Sequence, residues 1–111
     1  MVNAAAQIEN LRRLCGGPRD GALLRISLAN ALLAAGDTPA AIAELHRALG
    51  FDADYSAAWK LLGATLANAG DSHAAIAAYR AGIAAAEKRG DKQAQKEMRV
   101  FLRRLEKSGG A

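Results

Sequence analysis

Three side chains in this sequence are of types that could act as a nucleophile, a base or a metal ligand: Cys15, His46 and His73. Catalysis needs a base beside its nucleophile, and a metal site needs several ligands at short helical spacings. No two of the three residues have such a spacing, and no Asp or Glu completes a recognisable set. We therefore predict no enzyme activity, no metal and no cofactor. Both histidines are expected to be exposed, and Cys15 is expected to end a helix as a small apolar group.

Glycines concentrate near the N-terminus, within residues 16–21. A glycine-rich loop that binds phosphate follows a strand and ends in Lys followed by Ser or Thr, and this segment has neither feature. We interpret it as a plain connector.

The formal net charge of +4 arises at one end of the chain. Residues 1–87 carry seven Lys or Arg and eight Asp or Glu, whereas residues 88–111 carry eight and three. Five of the basic residues share one face of a predicted helix: Lys92, Lys96, Arg99, Arg103 and Lys107. A solvated face is the simplest interpretation, because this stripe has no exposed aromatic side chain to stack on bases. An acidic protein partner, nucleic acid or anionic lipid is the alternative, and Val100 near the stripe is the one residue that solvation alone does not explain.

Length and composition indicate which elements carry these residues. With 111 residues, of which 51% are hydrophobic, the chain has enough apolar mass for one domain, and its many alanines favour helix over strand. No apolar run approaches the length of a membrane span, and the first residues lack the pattern of a secretion signal. One cysteine permits no internal disulfide. We expect a single domain over residues 1–111, located in the cytoplasm and not in a membrane.

The sequence repeats itself at an offset of 34 residues, a period typical of stacked helix pairs. Nine of the 22 positions from 28 to 49 are identical to the position 34 residues later, including Ile42 and Ile76. One period earlier, Ile8 aligns with the same two isoleucines, so residues 2–15 are predicted to form half a repeat.

Glycines also mark the ends of predicted helices. Gly36 and Gly70 each follow a stretch of helical periodicity, where a left-handed glycine ends a helix. Thr38 and Ser72 come two residues later, and we predict that their hydroxyl groups cap the helices that follow. The six predicted helices are residues 2–15, 22–35, 39–50, 56–69, 73–89 and 92–107.

The second repeat contains a recognisable motif. Trp59, Leu62 and Gly63 have the spacing of a Trp, two variable positions, Leu and Gly, and Ala75 and Tyr79 match later small and aromatic positions. The repeat resembles the tetratricopeptide repeat (TPR) family. The resemblance implies an all-α fold, an α-α superhelix of about six antiparallel helices in which large side chains fill the space beside small ones. It divides the chain into a half repeat at 2–15, repeat 1 at 22–54, repeat 2 at 56–89 and a C-terminal capping helix at 92–107.

Both repeats depart from the motif in places. In the first repeat, Arg25 replaces the Trp, Ala29 the Gly and Leu45 the later aromatic residue. The first repeat is therefore identified mainly by its 34-residue register. In the second, Glu87 stands where the family usually has Pro, and we therefore predict that this helix continues to Arg89.

In this family the first helix of each repeat lines a concave groove that binds extended peptides or short helices. The resemblance assigns these residues to the groove: Leu23, Ile26, Asn30, Leu33, Ala34, Ala57, Lys60, Ala64, Ala67 and Asn68. Most are apolar, so we predict an apolar or amphipathic ligand segment, whose backbone or charges are fixed by Asn30, Lys60 and Asn68. Family members that grip a C-terminal carboxylate have a Lys and an Asn one turn apart. Ile26 lies one turn from Asn30, and Ala64 one turn from Lys60, so that clamp is broken.

The sequence thus predicts a monomeric protein-interaction module that binds a peptide or helix of another protein rather than a small molecule. Two alternatives stay open. The apolar stripe formed by Leu23, Ile26 and Leu33 on the second predicted helix could pack against neighbouring helices or be buried in a homodimer. The basic last helix could bind an acidic partner or, less favoured, nucleic acid.

Overall fold

In a computed structural model, which describes residues 3–108, the chain consists of six α-helices. They are α1 (Ala4–Leu14), α2 (Ala22–Ala34), α3 (Thr38–Phe51), α4 (Ser56–Asn68), α5 (Ser72–Arg89) and α6 (Lys92–Lys107). The all-α prediction is confirmed, and the predicted helix bounds agree with the observed ones to within two residues. Val2, where the first predicted helix begins, lies outside the described residues. The prediction that the fifth helix continues to Arg89 is confirmed.

The helices form two compact units, of which the first ends at Asp52 and the second begins at Ala53. In the first unit α2 packs against both α1 and α3, and in the second α4, α5 and α6 all pack against one another. The largest fully buried side chains are Leu28, Leu32 and Leu45 in the first unit and Leu62 and Met98 in the second.

A short turn joins α2 to α3 and is held by one aspartate. Gly36 has a φ of 82°, the left-handed conformation that ends a helix. The amide of Asp37 donates to the carbonyl oxygen of Leu32 at 2.9 Å, and the Asp37 carboxylate accepts from the amide of Ala40 at 3.2 Å. Asp37 therefore satisfies groups at the end of α2 and at the start of α3.

The same turn recurs between α4 and α5, with Gly70 at a φ of 86° and Asp71 as the cap. The prediction of hydroxyl caps at Thr38 and Ser72 was wrong. Both residues are the first of their helices, because the carboxylate one residue earlier already accepts from the free backbone amide.

Small residues allow the helices of the second unit to nest. A β carbon on Gly63 of α4 would lie 2.6 Å from Cε1 of Tyr79 on α5. A β carbon on Gly82 of α5 would lie 2.6 Å from Cβ of Trp59 on α4 and 2.5 Å from Sδ of Met98 on α6. Earlier residues of α4 thus face later residues of α5, which makes the two helices antiparallel. These contacts agree with the expectation that large side chains fill the space beside small ones.

In the first unit a charged network surrounds Arg25, which stands where the second repeat has Trp59. Arg25 donates from Nε and Nη2 to the two carboxylate oxygens of Asp20 at 2.9 and 2.7 Å. Its Nη1 donates to Oε1 of Glu44 at 2.9 Å, and Arg47 donates to Oε2 of Glu44 at 2.7 Å. The Glu44 side chain is only 5% exposed, so its charge depends on these two partners.

Two members of the network, Asp20 and Arg25, have shifted pKa values. The Arg25 guanidinium, together with the amide of Gly16, lowers the pKa of Asp20 to about 2. The carboxylates of Asp20 and Glu44 raise the pKa of Arg25. Asp20 and Arg25 are therefore ionised at neutral pH, and Arg25 stands at the position that an aromatic residue occupies in the family motif.

Candidate functional site

The residues with chemically reactive side chains are not assembled into a site. Cys15 follows the last residue of α1, and its Sγ lies 3.6 Å from the carbonyl oxygen of Leu11. His46 and His73 are exposed on α3 and α5. These placements are as predicted. Within residues 3–108, no group of three or more His, Cys, Asp or Glu side chains could hold a metal ion.

The glycine-rich connector is held by its own aspartate. The amides of Gly16 and Gly21 donate to the Asp20 carboxylate at 2.7 and 2.9 Å. These amides are the groups that a phosphate loop would offer to its ligand, and here a side chain already accepts from them. This arrangement is that of a connector, as predicted.

Half of the predicted groove residues lie on α2, in the first unit. Leu23 is 67% exposed, and Asn30 and Ala34 are also exposed. Ile26 and Leu33 are half-buried. The alternative that part of this stripe is covered by packing therefore applies to Ile26 and Leu33, whereas Leu23 is accessible.

Two of the predicted residues on α4 do not line the cleft that lies between α4 and α6. Ala57 is exposed in the first turn of the helix. Lys60 donates from Nζ to Oε1 of Glu97 on α6 at 2.9 Å, and both side chains are 41% exposed. The cation that the sequence assigns to ligand recognition is therefore engaged by a neighbouring helix.

The remaining three residues on α4 line a cleft of about 280 Å³ between α4 and α6, which we call the α4–α6 cleft. Its lining residues are Ala64, Ala67, Asn68, Tyr79, Phe101, Arg104 and Leu105. Three helices of the second unit thus contribute to one concave surface.

Aromatic and cationic groups are close together in this cleft. Tyr79 is 3% exposed, and its ring centroid lies 5.8 Å from that of Phe101, with the planes tilted by 32°. Burial raises the pKa of the Tyr79 hydroxyl. Cζ of Arg104 lies 5.9 Å from the Phe101 ring centroid, which permits a cation–π contact. The cleft therefore combines apolar walls with one guanidinium and the amide of Asn68.

Sequence reasoning missed the α6 wall of this cleft. Helical periodicity places Phe101 and Leu105 on the apolar side of α6 and Arg104 between the apolar and basic faces, but none of the three was among the predicted groove residues. One signal could have found them. α6 follows the second repeat, where the first helix of a third repeat would stand, and first helices line the groove in this family.

The five predicted basic residues are all exposed on α6. A surface depression of about 570 Å³ is lined there by Lys92, Gln95, Lys96, Arg99, Val100 and Arg103. Val100 is 40% exposed. The prediction that Val100 lies beside the basic stripe is confirmed.

The part of the chain that the structure describes contains no helix with the length and apolar character needed to cross a membrane.

Comparisons with known proteins agree with this architecture. No family model matches the sequence. A Pseudomonas aeruginosa protein described as TPR repeat-containing protein PA0015 is 46% identical over 101 residues, which cover 91% of this chain and 96% of that protein. The solution structure of protein BPP2914 from Bordetella parapertussis matches with a TM-score of 0.77 and 42% identity, over 91% of this chain and 88% of that one.

A crystal structure of MamA matches with a TM-score of 0.68 over 94% of this chain and 67% of the MamA chain. Because only 22% of residues are identical, that likeness concerns the fold alone. The extensive identity to the Pseudomonas protein and the 34-residue helix pairs lead to one conclusion: the chain belongs to the tetratricopeptide repeat family.

Proposed function

We propose that this protein is an interaction module that binds an apolar or amphipathic segment of a partner protein in the α4–α6 cleft. The family relationship supports a role in protein–protein interaction. The observation that carries the proposal is the composition of the cleft, in which predicted groove residues of α4 face Phe101, Arg104 and Leu105 of α6.

The dimensions of the cleft suit side chains of a partner segment. Its volume of about 280 Å³ lies just below the range of pockets that enclose small molecules, and it is open to solvent. A Leu or Phe side chain inserted between Ala67 and Leu105 would gain roughly 1.5–3 kcal/mol from burial.

Polar groups beside the apolar walls can orient the bound segment. The Asn68 amide offers both a donor and an acceptor to a peptide backbone. Arg104 forms no ion pair with any residue from 3 to 108, so its guanidinium is available to a carboxylate or carbonyl of the ligand. Lys60, which is paired with Glu97, has a secondary role in this proposal: it fixes α6 against α4.

The accessible residues of α2 belong to the proposal as a second contact surface, in the first unit. Leu23 offers the largest apolar area there, and Asn30 is the exposed polar group nearest to it along the predicted stripe. In keeping with the family, the proposed role is that of a non-enzymatic scaffold or adaptor in the cytoplasm.

Self-association through α2 is a second candidate function. One observation favours it: Leu23 is 67% exposed, so its aliphatic side chain is available for contact with a second copy of the chain.

The proposal can be tested by selecting binding peptides from a random display library and mapping their site by NMR. We expect selected peptides to shift the backbone amide signals of Ala64, Ala67, Asn68 and Leu105 when titrated into the labelled protein. Peptides that shift only signals far from α4 and α6 would show that the binding surface lies elsewhere.

A further inference from the structure

We infer that the outer face of α6 is a docking surface for an acidic helical segment of a partner protein, distinct from the α4–α6 cleft. This outer face is formed by Lys92, Lys96, Arg99, Val100, Arg103 and Lys107. The inference does not rest on the cleft, because none of these residues lines it.

The acidic groups of this part of the chain are turned away from the outer face. Glu97 pairs with α4 at 2.9 Å, and Glu106 pairs with α5 at 3.0 Å. Asp91 caps α6 and accepts from the hydroxyl of Ser56 on α4 at 2.9 Å. The five cations of the outer face therefore have no ion pair with any residue that the structure describes.

Segregated charge of this kind disfavours the isolated helix. Lys92 and Lys96 are four residues apart, as are Arg99 and Arg103, and like charges at this spacing repel each other. A helix face that only needed solvation would be served equally well by mixed charges. A concentrated positive face is complementary to a concentrated negative one, which identifies the chemistry of the partner.

The spacing of the cations suits a helix as the docked element. From Lys92 to Lys107 the face extends about 22 Å, given a rise of 1.5 Å per residue. A partner helix with Asp or Glu at intervals of three and four residues would place a carboxylate beside each cation. Val100, at 40% exposure, supplies an apolar contact for one aliphatic side chain of that helix.

Other polyanions fit this face less well. Binding of single-stranded nucleic acid combines basic groups with aromatic stacking, and Phe101, the aromatic residue of α6, lines the cleft instead. Insertion into a membrane surface requires a free apolar face, whereas on α6 Met98 is fully buried and Phe101 and Leu105 pack against the same core. Phosphates also offer no apolar contact for Val100.

A designed peptide provides the test. The probe is a labelled helical peptide of about 18 residues, long enough to be partly helical alone. It carries Glu at the intervals of the five cations and one Leu at the position that faces Val100. Its affinity is measured by fluorescence anisotropy at physiological ionic strength, in parallel with a scrambled peptide of equal composition, a single-stranded RNA and anionic vesicles.

Charge reversal on the outer face is compared with a matched reversal elsewhere. We expect Lys96→Glu with Arg103→Glu to weaken binding of the helical probe by about tenfold or more. Arg12→Glu with Arg19→Glu changes the net charge equally at exposed sites in the first unit, and we expect less than about a twofold effect. The neutral variant Lys96→Gln with Arg103→Gln should give an intermediate loss. Circular dichroism should show unchanged helix content for all three.

A second comparison separates docking from diffuse attraction. Val100→Ser and replacement of the peptide Leu by Ser should each weaken binding, and together they should weaken it by less than the product of the two effects. Any of three results would overturn the inference. The scrambled peptide could bind as tightly as the helical probe, the two charge-reversal variants could lose affinity equally, or RNA or vesicles could bind more tightly than the probe.

Discussion

Gly63 on α4 and Tyr79 on α5 meet so closely that a β carbon on Gly63 would lie 2.6 Å from Cε1 of the Tyr79 ring. Tyr79 also lines the α4–α6 cleft and contacts Phe101 across it. A glycine that the family motif places at a helix crossing therefore positions an aromatic residue of the candidate binding surface.

Enlarging Gly63 should destabilise the second unit. We expect Gly63→Leu to lower the free energy of unfolding by about 1–3 kcal/mol or more, because the Tyr79 ring must move. Gly50→Ala is the control, because Gly50 lies on α3 with open space around the position of a β carbon. Alanine at this position should raise the free energy of unfolding by about 0.5–1 kcal/mol. Urea unfolding measures both, and a Gly63→Leu variant as stable as the wild type would contradict this packing.

Removing Arg25 should destabilise the first unit. We expect Arg25→Met to cost about 3 kcal/mol in urea unfolding, because it leaves the buried Glu44 carboxylate without one of its two partners. The double variant Arg25→Met with Glu44→Leu should be more stable than the sum of the single effects predicts. Arg25→Trp, although it restores the family motif, should also destabilise for the same reason. Additive effects of the two single changes would show that Arg25 and Glu44 do not act as a pair.

The stability of the first unit should depend on Asp20 in acid. The pKa of Asp20 in the folded protein is about 2, below its ordinary value of 3.8. Its contribution is therefore fully present above about pH 4 and is lost as the pH falls from about 4 to about 2. Asp20→Asn should lower the stability of the protein at neutral pH. The difference in stability between this variant and the wild type should shrink as the pH falls from about 4 to about 2. Urea midpoints measured across this range test the prediction, which a constant deficit would refute.

The oligomeric state distinguishes the two candidate functions. We expect a monomer in sedimentation velocity at concentrations up to the high micromolar range, because the proposed partner is another protein. Concentration-dependent dimerisation that Leu23→Glu abolishes would instead support self-association through α2. Leu23 is the suitable probe because it is 67% exposed, whereas charges at the half-buried Ile26 or Leu33 would also disturb folding.

Most of the fold could be predicted from the sequence, because it follows from a repeated local pattern. The glycine–aspartate pairs at 36–37 and 70–71 mark the turns, and the 34-residue register orders the helices. The identity of the caps was mispredicted, because Asp37 and Thr38 are both good capping residues and the sequence does not show which one precedes the first helical residue.

Less of the candidate site could be predicted. Ala64, Ala67 and Asn68 were assigned through the family motif, but Arg104 matches no motif position and becomes part of the cleft only through the packing of α6 against α4. The pairing of Lys60 with Glu97 likewise joins residues far apart in sequence, and helical periodicity within one helix gives no information about such contacts.

The affinity of a selected peptide for two phenylalanine variants tests the proposed binding cleft most directly. Ala67 lines the α4–α6 cleft, whereas Ala57 is exposed on the same helix outside it. Isothermal titration calorimetry should show that Ala67→Phe weakens binding by about tenfold or more, because the new ring occupies the space of the ligand side chain, while Ala57→Phe leaves affinity within about twofold. Unchanged affinity in a folded Ala67→Phe variant would contradict binding in this cleft.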